Sequence, residues 1–422
     1  MTTLNNPAPA PLPPTTTPQR TRLLANRDQP APGTDLRSYL KRLRSGDLGP
    51  LPIIVGLIII AIIFQSQNDN FLTARNFVNL IPQMAGITAI AYGVVFILLL
   101  GEIDLSVGYV SAVAAVSMTL LMLPPTNAPW YVAVVVGLVV AAGVGLLHGL
   151  LITTFQVPSF VVTLAGLLGW NGVVLRIIGN GGTVIIQDQT IIGVANTYLS
   201  PELGWLVAII FVGLYTLSVF LGERARGAQG LAARPPYVIG LRVAVLAVLI
   251  FATVAVCNES RGVPFVGVLL LVMLVGLSFV AEQTRFGRYV YAIGGSKEAA
   301  RRAGINVERY RIYVFMISSV MAGVGGIILA SRLRSVDTNA GGGNLLLYSI
   351  AAAVIGGTSL FGGRGKVSSA LLGALVIASV DNGMGLLGLS SGDKFIVTGL
   401  VLLAAVIVDS VSRRSQKRSG LV

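Results

Sequence analysis

The sequence is poor in the side chains that do chemistry. It has one cysteine, Cys257, and one histidine, His148, in 422 residues. A single thiol forms no intrachain disulfide and builds no Cys-based zinc site, and a single imidazole builds no His-based metal centre. Charge is scarce too: Asp, Glu, Lys and Arg make up 11% of the chain, against about 25% in soluble domains. So few charges cannot coat a surface of this size. That excludes an ordinary soluble enzyme, a nucleic-acid reader and a disordered scaffold. The G-x-x-x-x-G-K-[ST] pattern is also missing. Its nearest approach, Gly362-Gly363-Arg364-Gly365-Lys366, is followed by Val367 and lacks the spacing, so no phosphate-binding loop is expected. No nucleophile–base or carboxylate pair is suggested by local spacing, and catalysis is not expected.

What is abundant is apolar. Hydrophobic residues make 54% of the chain and the mean hydropathy is +0.81. Crossing ~30 Å of hydrocarbon at ~1.5 Å per residue takes about 20 apolar residues. Twelve runs approach that length: 51–66, 77–100, 105–123, 130–153, 159–178, 204–221, 238–257, 264–281, 311–330, 346–361, 368–389 and 395–409. Only Gly101–Asp104 separate the second from the third, so 101–108 is either a tight turn or a re-entrant piece. The sequence thus predicts an all-α polytopic membrane protein of ten to twelve, most simply twelve, transmembrane helices.

Charge tests the count. With the amino terminus inside, 24 of the 30 Lys and Arg fall in 1–50, 222–242, 282–311, 362–367 and 412–422. The other six are Arg75, Arg176, Arg261, Arg332, Arg334 and Lys394. Such a bias predicts both termini in the cytoplasm. It also explains the net charge of +13 without nucleic acid. Residues 1–35, rich in Pro and Thr, lack the apolar surface to fold. The charges in residues 36–47 are mostly basic, and the segment suits a short helix on the membrane surface. Residues 1–48 are therefore the expected cytoplasmic tail, 49–410 the transmembrane domain and 411–422 a second basic tail. The first run ends in Phe64-Gln65-Ser66 with no A-x-A pattern, so an uncleaved span is expected in place of a signal peptide.

Two connections stand out. The outer loop 179–203 has no Lys or Arg. The inner loop 282–310 is basic, and within it Ser296 caps an expected helix from Lys297 that Gly304 ends. A short charged helix there suits docking of another protein.

Few acids lie within the apolar region. Glu102 and Asp104 sit at the junction of two runs. Asp104 either caps a helix beginning at Leu105, with Glu102 at the interface, or both line a broken-helix path, since a break at membrane depth survives only against protein or water. Asp381 and Asn382 lie inside 368–389, facing either a cavity or a neighbouring helix. Asn171, beside Trp170, offers an amide and an aromatic face, or simply an interhelical hydrogen bond. His148 is expected to pack near an inner helix end. Ala141, Gly145 and Gly149 recur every four residues, and Gly323, Gly325 and Gly326 cluster likewise, as small faces for close helix approach.

Several strings carry a family resemblance. They are Gly101-Glu-Ile-Asp-Leu-Ser-Val-Gly108, Val157-Pro-Ser-Phe-Val-Val-Thr-Leu-Ala-Gly166, Thr284-Arg-Phe-Gly-Arg-Tyr-Val-Tyr-Ala-Ile-Gly-Gly295, Glu298-Ala-Ala-Arg-Arg-Ala-Gly-Ile-Asn-Val307 and Val354-Ile-Gly-Gly-Thr-Ser-Leu-Phe-Gly-Gly-Arg-Gly365. In order and spacing over about 50–410, the chain resembles permease subunits of bacterial ABC importers for monosaccharides, the ribose/arabinose/xylose class. It is most similar to the xylose-type members, which carry an extra basic loop and two extra spans, as 204–257 do here. Asp381-Asn-Gly-Met384 departs from the class by having Asp where Asn is expected.

The resemblance implies a multi-pass protein of the bacterial inner membrane that moves a sugar by alternating access. It implies a cytoplasmic ATP-binding subunit, an extracytoplasmic sugar-binding protein and a second permease copy as partners. ATP and Mg would be bound by the ATPase partner, with no cofactor in this chain. Glu298, Ala299, Ala300 and Gly304 resemble a coupling motif, with Arg301 and Arg302 as further contacts to the ATPase. The remaining alternatives are a permease for another small polar ligand and an ion-coupled secondary transporter, for which Glu102, Asp104 and Asp381 are the candidate ion carriers.

Overall fold

The computed structural model describes residues 51–228 and 235–400, with 403 and 407. The expected tails 1–48 and 411–422, and most of the last predicted span beyond 400, lie outside the described residues. The chain begins with α1 (Leu51–Gln67), α2 (Ala74–Leu99), α3 (Val107–Leu121), α4 (Trp130–Thr154) and α5 (Ser159–Ile178). Then come β1 (Thr183–Ile185), α6 (Gln189–Asn196), β2 (Tyr198–Leu199), α7 (Pro201–Ala228), α8 (Pro236–Asn258) and β3 (Val263–Pro264). The remainder is α9 (Phe265–Gln283), α10 (Arg285–Gly295), α11 (Lys297–Arg302), α12 (Val307–Leu333), β4 (Ser335–Asp337), α13 (Leu345–Ile355) and α14 (Val367–Leu386). Residues 391–400 are helical.

Every predicted apolar run carries helix in its described part. Eight described helices are long and apolar enough to cross a membrane; α1, α3 and α13 are shorter apolar helices. At ~1.5 Å per residue α13 reaches about 16 Å, too little to span alone. It stops at Gly356, short of the predicted 361, because Gly357 turns with φ +96° and 358–366 fold back as a loop. Most of α3, and Ser349 and Ala351–Val354 of α13, are buried in protein. Short helices are tolerated where protein, and not lipid, covers them.

Helix α2 is the hub. It packs against α12, α14, α13 and α9. Small residues make this possible: Ala85, Ala89 and Ala91 are fully buried, and a Cβ on Gly93 would come 2.9 Å from the Ser318 carbonyl oxygen of α12. The two small-residue faces of the sequence meet on α12 as well. A Cβ on Gly149 would stand 2.8 Å from Ile312 Cα, and one on Gly323 would stand 3.0 Å from Ala141 Cβ. Around this core the outer helices keep apolar faces exposed, among them Ile58 and Ile62 on α1, Ile209 and Leu214 on α7, and Val245 and Val248 on α8. Such faces belong against lipid tails.

The connections sort by end. At one end β1 pairs antiparallel with β4 and β2 with β3. Asn68 Nδ2 there donates to the Leu386 carbonyl at 3.0 Å, and Arg261 donates to Asn79 near the start of α2. At the opposite end of α2, Gly363 N donates to the Leu99 carbonyl at 2.9 Å and Tyr291 Oη to the Gly365 carbonyl at 2.7 Å. The first group holds connections the charge pattern predicts outside, the second those it predicts inside. The paired strands, of two or three residues each, qualify the all-α expectation. Helices α6 and α10 also lie in segments read from sequence as loops.

Candidate functional site

The predicted inner loop delivers its charged helix. Ser296 Oγ accepts from Ala299 N at 3.2 Å and starts α11. Gly304, at φ +81°, ends it, with Ile305 N donating to the Ala300 carbonyl at 3.0 Å. Only glycine enters this left-handed conformation without strain. Helix α11 closes at Arg302, two residues earlier than the sequence suggested. Glu298, Ala299, Arg301, Arg302 and Gly304 are exposed, while Ala300 is buried and anchors the helix. Arg301 is engaged by Glu308 at 2.6 Å.

Beneath α11 lies a buried ion cluster. The Glu102 carboxylate accepts from Lys297 Nζ at 2.9 Å on Oε1 and from Arg311 Nη2 at 3.0 Å on Oε2. Arg311 Nε stands 2.7 Å from Oε1, so the guanidinium meets the carboxylate side-on. Burial pushes the Glu102 carboxyl up, but the bonds from Arg311 and then Lys297 outweigh burial and hold it below its ordinary value. Glu102 is therefore buried among protein groups and not at a solvated interface.

Asp104 is buried in a second polar chain. Its Oδ1 accepts from Ser106 N at 2.9 Å and from Ser106 Oγ at 2.6 Å. Ser106 Oγ lies 3.4 Å from His148 Nδ1, and Trp170 Nε1 donates to His148 Nε2 at 3.1 Å. A Trp donor on Nε2 puts the imidazole proton on Nδ1, facing Ser106. Asp104 does not cap a helix at Leu105. It instead fixes Ser106, and α3 begins at Val107. His148 packs near the inner end as expected. Asn171 is half-buried and has no hydrogen-bond partner among the described residues.

Asp381 lines a cavity of about 220 Å³ between α2, α12, α13 and α14. Gln83, Arg332, Asn344 and Tyr348 line it too, beside Ile87 and Leu329. Asn382 braces its wall: Asn76 Nδ2 donates to Asn382 Oδ1 at 2.8 Å, and Asn382 Nδ2 donates to Gln83 Oε1 at 3.1 Å. Glu102, Asp104 and Asn171 do not line it. Sequence reasoning missed Gln83, Arg332, Asn344 and Tyr348. Arg332 reads as an outer-end charge of a span, and the other three as isolated polar residues in apolar or loop segments.

A helical bundle with lipid-facing flanks, a charged helix at one end and a polar cavity toward the other is a multi-pass membrane protein of the transporter kind. The chain belongs to the family described as branched-chain amino acid transport system / permease component, whose model matches residues 76–406. It is 37% identical over 378 residues to the xylose transport system permease protein XylH of Escherichia coli (strain K12), covering 88% of this chain and 94% of that protein. To XylH of Haemophilus influenzae it is 33% identical, covering 88% and 99%. To the ribose import permease protein RbsC of Bacillus subtilis (strain 168) it is 32% identical, covering 89% and 97%. No solved structure matches.

Proposed function

We propose that this chain is the permease subunit of an ATP-driven importer that carries a monosaccharide, D-xylose foremost, across the bacterial inner membrane. The observation that carries the reading is the near full-length similarity to xylose permeases. The ribose permease is close behind, so an aldopentose suits the chain better than an amino acid does. Of the three candidate ion carriers, Glu102 is tied in an ion cluster and Asp104 accepts from Ser106, which leaves Asp381, in a cavity it shares with Arg332, as the one acid an ion-coupled transporter would have to use.

In this reading a separate ATPase binds ATP and Mg and docks on the exposed face of α11. Glu298, Ala299, Arg301, Arg302 and Gly304 face it, and Ala300 roots the helix. An extracytoplasmic binding protein delivers sugar to the opposite end, and a second copy of the chain completes the path. Closure of the ATPase would press on α11. Lys297 and Glu102 pass that motion to Arg311 and so to α12. From Arg311 to Arg332, α12 is a continuous helix of about 32 Å at ~1.5 Å per residue, so one stiff element joins the docking end to the cavity.

Labelled D-xylose uptake tests the reading in cells with and without the chain, under ATP depletion with the ion gradient held and under a proton uncoupler with ATP maintained. Uptake that requires the chain and fails only on ATP depletion supports it. Uptake that fails only with the uncoupler, or that needs leucine in place of sugar, overturns it.

A further inference from the structure

Resting on the reading of the chain as a sugar permease, we propose that the cavity bounded by Gln83, Arg332, Asn344, Tyr348 and Asp381 is a binding station for one neutral sugar ring on the way through.

Its size fits a small solute. About 220 Å³ is several waters' worth of space and lies below the ~300–1,000 Å³ of drug-sized sites. Its chemistry is balanced. Arg332 only donates, Asp381 only accepts, and neither has a hydrogen bond or an ion pair within 4 Å among the described residues, although both line the same cavity. An anion would gain from Arg332 and lose at Asp381, and a cation the reverse. Sugar hydroxyls both donate and accept, so a polyol satisfies the two together.

The neutral groups point the same way. Gln83 spends its carbonyl on Asn382, which leaves its NH₂ as a donor. Asn344 Nδ2 donates to Tyr348 Oη at 3.2 Å, so the phenol proton remains to give. Ile87, Leu329 and Ile377 supply apolar wall for the C–H face of a ring. A zwitterionic amino acid accepts only at its carboxylate, so pairing that group with Arg332 and its ammonium with Asp381 draws every acceptor to one side, whereas ring hydroxyls accept all round the wall. The ligand class is thus a monosaccharide held by several hydroxyls.

The test uses the assembled importer, with ATPase and binding protein, in proteoliposomes. Asp381→Leu and Arg332→Gln are expected to lower xylose moved per ATP hydrolysed by about tenfold, roughly one hydrogen bond to a charged group. ATP hydrolysis stimulated by the loaded binding protein should persist, whereas a merely structural defect lowers both. The one native thiol, Cys257, is buried, so a second assay reads Asn344→Cys against a small methanethiosulfonate reagent. Xylose should slow that reaction and leucine should not. Unchanged transport per ATP in both variants, labelling indifferent to xylose, or protection by leucine overturns the proposal, and the thiol assay decides if the charge variants do not assemble. Failure of the wild-type chain to move any monosaccharide sinks the underlying reading, and this one with it. Wild-type xylose transport without protection at Asn344→Cys sinks this one alone.

Discussion

Arg311, in the first turns of α12, and Lys297, the first residue of α11, close on one carboxylate, Glu102, in the α2–α3 connection. Three segments far apart in sequence are joined at one buried point. The two contacts are unequal. The Lys297 side chain is 44% exposed and the Arg311 side chain 10%, so water screens the first and hardly screens the second. Removing the carboxylate leaves Arg311 buried without a counter-charge. Glu102→Ala is expected to cost about 3–5 kcal/mol, against about 1 kcal/mol or less for Lys297→Met. Thermal denaturation in detergent should show the first variant far below the second, with Glu102→Leu/Arg311→Leu recovering part of the loss. Equal losses from Glu102→Ala and Lys297→Met would contradict the ranking.

The same cluster sets a pH dependence. Because Arg311 and Lys297 hold the Glu102 carboxyl below its ordinary value, its contribution is full above the unfolded value of about 4.3 and is lost as pH falls through it toward the lowered folded value. The melting temperature of the wild type should therefore fall between about pH 5 and pH 3 more steeply than that of Glu102→Gln. Parallel curves would show that the cluster does not titrate with folding.

Close helix approach gives a third expectation. A Cβ on Gly326 of α12 would overlap the Ser111 carbonyl oxygen of α3, and backbone does not yield as a flexible side chain does. Gly326→Ala should cost about 1–3 kcal/mol, and a larger residue more. Gly143 of α4 has nothing within 4 Å of its Cβ position, so Gly143→Ala should be neutral or slightly stabilising. Expression and melting temperature in detergent separate the two, and similar behaviour of both variants would refute the packing argument.

These glycines show what was legible beforehand. Gly145, Gly149 and Gly323 announce close approach because small residues recur at helical spacing, and α4 indeed crosses α12 on them. The apolar runs announce helices because a long unbroken apolar run can satisfy its own backbone in lipid only as a helix, whereas barrel strands are short and alternate. Ser296 and Gly304 announce α11 because capping is local. Contact between distant segments is not local. Nothing in the order of residues says that Lys297 and Arg311 meet Glu102, or that Arg332 and Gln83 share a cavity with Asp381. The turn-back after Gly357, which shortens a predicted span into α13, also depends on the end of α2, since Gly363 N finds its acceptor at Leu99.

The exposed edge of α11 supplies the last expectation. Glu298 is solvent-exposed and has no partner among the described residues, whereas Ala300, two residues on, is buried. A side chain on the open edge contributes little to folding, and one on the rooted edge contributes to packing. Glu298→Lys should therefore leave the melting temperature of the isolated permease within about 1 °C, a shift too small for a core change. It should still weaken binding of the ATPase and sugar uptake, because the charge presented to the partner is inverted. Ala300→Glu should lower the melting temperature itself, by forcing a charge into packed surroundings. Measured together, the two variants separate docking from folding. Normal ATPase binding and normal uptake by Glu298→Lys would remove α11 as the docking element, whatever Ala300→Glu does.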